Sequence, residues 1–120
     1  MAQGVGSTKQ ILGLLQTFGG LYWAPLDYSG SSSYVQGGDA IGATSFGFNN
    51  TIWAMVGSND QSNVFVVNCR PLNNGRTQWQ LVWQSLVTGT YGGQAQTAGQ
   101  EAAAGTNLSG FTCRLVAHGQ

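Results

Sequence analysis

The residues able to do chemistry in this chain are few and far apart. His118 is the single histidine, and the four carboxylates, Asp27, Asp39, Asp60 and Glu101, fall in four separate segments. A paired-acid hydrolase needs two carboxyl groups opposed across a defined gap, and no two of these are marked as partners. Serines are abundant, but none sits in the G-x-S-x-G turn that presents a nucleophile. Cys69 and Cys113 permit one disulfide or two buried thiols, and no C-x-x-C or metal-ligand cluster accompanies them. The glycine pairs lack the Lys-Ser/Thr of a phosphate loop, and no loop gathers the acids that calcium requires. The expectation is a protein that is not an enzyme and uses no cofactor or metal.

What the chain offers instead is aromatic rings among uncharged hydrogen-bonding groups. Trp23, Trp53, Trp79 and Trp83, with Tyr22, Tyr28, Tyr34 and Tyr91, stand among Asn, Gln, Ser and Thr. Such platforms suit a small neutral ligand or a sugar. The same rings also fill small cores, and residue type alone leaves both roles open. In "TQWQLVWQ" (77–84) a period of two puts Trp79, Leu81 and Trp83 on one face and Gln78, Gln80 and Gln84 on the other.

The elements that must position these residues read as strands. A length of 120 residues is one domain, 1–120, with material for one core. Residues 1–7 read as a flexible arm, and "TKQILGLLQTF" as a short helix or a first strand. From "LYWAPLDY" onward short apolar runs alternate with Gly- and Ser-rich turns. Asn74-Gly75 predicts a hairpin with positive φ at both central residues. Residues 88–110, rich in Gly, Ala and Thr, read as one long loop. About seven or eight short strands predict an all-β fold, a small antiparallel barrel or alternatively a sandwich.

Composition narrows the partners. Four Lys and Arg balance four Asp and Glu, so the formal net charge is zero. That is too few cations for nucleic acid. No run approaches the roughly 18 apolar residues of a membrane-spanning helix, and "KQILGLLQTF" lacks a convincing cleavage site, so it reads as part of the fold. The compartment stays open, with the neutral composition leaning towards an extracellular one. A charge-poor surface repels its own copies weakly, and apolar outer strand faces at 52–56 and 64–67 predict self-association.

Several of these segments resemble one family. "TQW" followed by an apolar strand resembles the penultimate strand of the avidin and streptavidin barrels, whose tryptophan lines the biotin pocket. "FGFNNTIWAMVGSNDQSNVFVV" resembles the preceding hairpin, which would make Trp53 a pocket tryptophan and Ser62 a polar contact. "FTCRLVAHG" resembles the last strand, with Phe111 where a tryptophan reaching the neighbouring subunit is usual. "YWAPLDYSGS" is similar to the first strand, where Ser29 matches a ligand-holding serine, and Tyr34 matches the family's tyrosine. Pro25, Val64 and Gly119 depart from the asparagine, threonine and aspartate that meet biotin, so the resemblance extends to a barrel more than to biotin itself.

The resemblance implies a homo-oligomeric, non-enzymatic binding barrel. Trp53 and Trp79 would be its walls, Ser29, Ser62 and Tyr34 its hydrogen-bonding contacts, Phe111 a subunit contact and 88–110 its rim. Two alternatives use the same residues differently. One is a lectin with exposed aromatics; the other is a structural subunit of a capsid, filament or toxin.

Overall fold

Alternation decides the strands. In Gln78–Ser85 the side chains of Trp79, Leu81 and Trp83 are buried on one face, while Gln80 and Gln84 take the other. The same pattern buries Ala24, Leu26 and Tyr28 in one strand and Cys113, Leu115 and Ala117 in another. The structure is a computed structural model and describes residues 6–10, 16–18 and 21–120. Of the expected arm over 1–7, only Gly6 and Ser7 lie within the described residues.

The strands are β1 (Ser7–Gln10), β2 (Gln16–Phe18), β3 (Leu21–Ser29), β4 (Asp39–Gly42), β5 (Ile52–Gly57), β6 (Phe65–Pro71), β7 (Gln78–Ser85), β8 (Gly89–Tyr91), β9 (Gln94–Gln96) and β10 (Thr112–Gly119). A single 3-10 turn covers Ala43–Phe46. All pairings are antiparallel. One sheet runs β1-β3-β10-β5, with β2 also pairing with β3; a second runs β4-β7-β6; β8 and β9 form a separate hairpin. The fold is all-β, and among the described residues no continuous ladder closes the sheets into a barrel.

The two sheets share one core. Ile52, Leu26 and Leu115 of the first and Leu81, Phe65 and Trp83 of the second are all fully buried in a single apolar cluster. Each such side chain contributes roughly 2–3 kcal/mol when it leaves water. Trp83 is the centre of the aromatic part, tilted against Tyr28 at 6.3 Å and edge-on to Phe65 at 6.1 Å.

Residues 88–110 are more ordered than a loop. "YGGQ" makes a two-residue hairpin turn, with Gly92 and Gly93 both at positive φ (62° and 80°). This accounts for two of the strands beyond the expected seven or eight. Buried Gln96 then ties the hairpin down. Its Nε2 donates to Thr106 Oγ1 (2.9 Å) and Tyr91 O (3.2 Å), and its Oε1 accepts from Ala103 N (3.0 Å). Beyond it, Ala102 N donates to Trp83 O (2.9 Å), and Tyr34 N donates to Thr106 O (2.9 Å). The segment thus lies between β7 and residues 30–34 and supplies buried Ala102, Thr106 and Leu108.

At the Asn74-Gly75 turn the hairpin forms as expected, but the turn type differs. Arg76 N donates to Asn73 O (3.1 Å), and the positive φ falls on Arg76 (53°) rather than on the two central residues. A turn followed by a left-handed residue matches the strand twist as well as a two-residue turn does.

The β5–β6 connection depends on one carboxylate. Asp60 is buried and accepts from the amides of Ser62 (2.8 Å), Val64 (2.7 Å) and Phe65 (2.6 Å) and from the Ser62 hydroxyl. Burial alone would raise its pKa; the Phe65 amide, Ser62 and the Val64 amide outweigh burial and hold it below the ordinary 3.8. A carboxyl depressed in the fold stabilises it fully above the ordinary value and loses that contribution as pH falls through the folded value. Asp60→Ala is therefore expected to cost roughly 2–4 kcal/mol at pH 7 by urea denaturation. The gap to the parent protein should narrow as pH drops below 3.8; a constant gap would refute the role of the charge.

Candidate functional site

The ionisable groups are mostly committed to the fold. Asp39 is fully buried and accepts from Tyr28 OH (2.8 Å), Ser31 Oγ (3.0 Å) and Ser31 N (3.3 Å), joining β3, β4 and the turn between them. Glu101 accepts from Tyr34 OH (2.7 Å) and Gly37 N (2.6 Å). Asp27 pairs with Arg114 at 3.1 Å on the surface, a contact of small energetic weight. Burial first, and the carboxylates beside them second, push the hydroxyls of Tyr28 and Tyr34 far above the ordinary phenol range. Both remain protonated donors.

Cys69 and Cys113 are free thiols. Burial pushes each up to about 12, with Asp60 adding to the effect at Cys113. A thiol so protonated is a poor nucleophile. Among the described residues no three His, Cys, Asp or Glu side chains gather as a metal site. Nor is any helix among them long and apolar enough to cross a membrane.

The six residues singled out from the sequence fall in different surroundings, and of them Ser29 and Phe111 are brought near one another, with Gly30 N donating to Phe111 O at 3.4 Å. Trp79 is a core residue, 4% exposed, with its indole N–H donating to Ile52 O at 3.0 Å. Trp53 is 44% exposed. Between Ala54, opposite His118, and Ile52, opposite Gly119, Trp53 is the extra residue of a β-bulge, the device that redirects a side chain. Ser62 is exposed and bonded to Asp60. Ser29 Oγ lies 2.8 Å from Thr112 Oγ1 on the first sheet.

Tyr34 is buried, its hydroxyl accepting from Trp83 N (3.2 Å) while donating to Glu101. Phe111 is half-buried and edge-on to Phe65 at 4.9 Å. At Gly119 a Cβ would sit 1.9 Å from Thr51 O, so no larger side chain fits there.

Among the described residues, two open surface depressions stand out, and neither is lined by an aromatic residue. One, of about 300 Å³, is bordered by Asp27, Ser58, Asn59, Gln61, Thr112 and Arg114. The other, of about 410 Å³, is bordered by Thr44, Asn49, Asn50, Thr77 and Gln78.

The unusual surface is the outer face of the first sheet. Strand pairing lays it out in rungs: Trp23, His118 and Ala54; then Pro25, Val116 and Val56; then Lys9, Asp27 and Arg114. The first two rungs carry no carboxylate and no Lys or Arg. Val56 is 67% exposed and Trp23 44%. The second sheet solves the same problem with polar residues. There Asn68 Nδ2 donates to Gln84 Oε1 (2.6 Å), and Arg70 Nε donates to Gln80 Oε1 (2.7 Å). Scattered exposed apolar residues are ordinary, whereas adjacent rungs of them on a sheet form a contiguous apolar patch. Only the register of β3, β10 and β5 assembles this face; the alternation in each strand alone leaves its neighbours unknown.

The chain matches no protein-family model, no curated protein and no solved structure.

The two tryptophans expected as pocket walls should separate cleanly on substitution. Trp79→Ala empties a core site and is expected to cost about 3–5 kcal/mol. Trp53→Ala at the exposed bulge should stay within about 0.5–1 kcal/mol of the parent. Thermal and urea denaturation of both variants tests this; equal losses would contradict the placement of Trp53.

Proposed function

We propose that this protein is a structural subunit that assembles with further copies of itself through the outer face of its five-stranded sheet. The observation that carries the reading is the pair of apolar rungs, Trp23-His118-Ala54 and Pro25-Val116-Val56, left uncovered on one sheet while the other sheet bears amides. A second copy is the occupant that fits. The two apolar rungs carry no charge, and the charged groups, Lys9 opposite Asp27 and Asp27 paired with Arg114, begin only at the rung beyond them, so two copies meet over the apolar rungs without charge repulsion. The chain as a whole has a formal net charge of zero, which removes long-range repulsion as well. We read the two sheets as a sandwich, whose aromatic residues serve its core.

Small-ligand binding and a lectin-like role are supported less. The first needs Trp53 and Trp79 as facing walls, and one is exposed while the other is core. The second needs an aromatic platform in a polar depression, and the two depressions carry none.

Native mass spectrometry and sedimentation velocity test the proposal. The parent chain should form oligomers at micromolar concentration. Val56→Glu, at an exposed position where folding tolerates charge, should weaken association by about a hundredfold, equivalent to about 2.7 kcal/mol, with an unchanged melting temperature. A monomeric parent, or an unaffected variant, would overturn the reading.

A further inference from the structure

We infer that assembly through this face is gated by protonation of His118, so that the contact holds at neutral pH and opens in mild acid. The inference rests on the assembly reading above and names the regulation of the same surface.

His118 stands in the middle strand of the sheet, with Trp23 on one side and Ala54 on the other. Its ring meets Trp23 edge-on, with centroids 4.6 Å and planes 80° apart. Its Nδ1 is buried and has no hydrogen-bond partner among the described residues. A neutral imidazole tolerates that arrangement by carrying its proton on Nε2 and leaving Nδ1 bare. Protonation places an N–H on Nδ1 as well, a buried donor without an acceptor, and puts a positive charge on an apolar surface.

Among the described residues, no acidic side chain on the strands beside His118 is placed to neutralise that charge. From β3 the imidazole meets Trp23, and the strand's carboxylate, Asp27, is two rungs away and bound to Arg114. From β5 it meets Ala54, and Ile52–Gly57 contains no ionisable residue. On β10 itself the nearest charged residue is Arg114, of the same sign as a protonated imidazole. Beyond Trp23, the register position on β2 is Gln16, which is uncharged.

The direction of the effect follows from linkage. In a separate subunit the half-buried imidazole borders water, whereas in the assembly a second copy covers it. The separate subunit therefore binds the proton better, and acid favours dissociation. In a two-fold contact each copy brings its own His118, so two charges oppose closure. Histidine is the side chain whose charge ordinarily changes between about pH 5 and 8. The acid response of Asp60 lies below 3.8 and does not overlap that window.

The test is sedimentation velocity at pH 8, 6.5 and 5 on the parent, His118→Gln, His118→Phe and Val56→Glu, with near-UV circular dichroism to verify that each is folded. The expected result is a parent whose association weakens by roughly tenfold or more from pH 8 to pH 5, while both His118 variants associate equally at the two extremes. His118→Phe keeps an aromatic ring beside Trp23 and stands in if His118→Gln fails to fold. If the parent and both variants show the same pH response, or the parent shows none while Val56→Glu still dissociates, the gate is overturned and the contact face stands. If Val56→Glu associates like the parent, the face itself is overturned.

Discussion

The structure depends on the burial of Trp83 between the two sheets. Its indole occupies the core against Tyr28 and Phe65, and its backbone is engaged on the side that faces the long C-terminal segment. The Trp83 N–H donates to Tyr34 OH, which donates in turn to Glu101, and Trp83 O accepts from Ala102 N. Close approach requires Gly30, where a Cβ would lie 3.0 Å from the Trp83 ring and 2.3 Å from Leu108 Cβ. One residue thereby couples both sheets, the 30–34 turn and the 97–110 segment. A truncation here would remove the packing while the backbone hydrogen bonds of residue 83 stay in place, so its cost is that of the emptied core site.

A charge-poor chain has to stabilise itself through neutral polarity. Two of the four carboxylates, Asp39 and Asp60, are buried and surrounded by hydroxyl and amide donors rather than by cations. Gln96 ties the 91–106 region together as an ion pair does elsewhere, and as an amide it needs no counter-charge. The result is a surface with little electrostatic character of its own. In the assembly we propose, contact between copies depends on shape and apolar area, and His118 is the one ionisable group within the two apolar rungs.

The difference between the outer faces of the sheets follows from the same economy of charge. On the β4-β7-β6 sheet the Asn68–Gln84 and Arg70–Gln80 pairs flank Val66 and Val82 with groups that hydrate well. The β3, β10 and β5 rungs carry Trp23, Pro25, Val116, Ala54 and Val56, which do not. The bulge at Trp53 changes the parity of β5, so that Ile52 faces the core while Ala54 and Val56 face outward. Were the same residues to alternate regularly with no bulge, Ala54 and Val56 would face inward with Ile52, and the face would lose its edge.

Much was legible in the residues alone. Alternation in 78–85 determined which faces of β7 are buried, the Asn74-Gly75 pair determined a hairpin, and composition determined an all-β chain of neutral surface. These follow from local rules: side chains alternate along a strand whatever its neighbours, and turn residues act on their own backbone. The two-glycine turn at 92–93 is equally local, but the small residues around it resemble a loose loop. Tertiary structure alone decided whether an aromatic residue is core or surface. Trp79 and Trp53 look alike in sequence, but one faces the opposite sheet and the other is turned out by a bulge. It also decided the face that Trp23, His118 and Val56 share, because strands distant in the chain become neighbours only when they pair, and pairing partners are a long-range property of the folded chain.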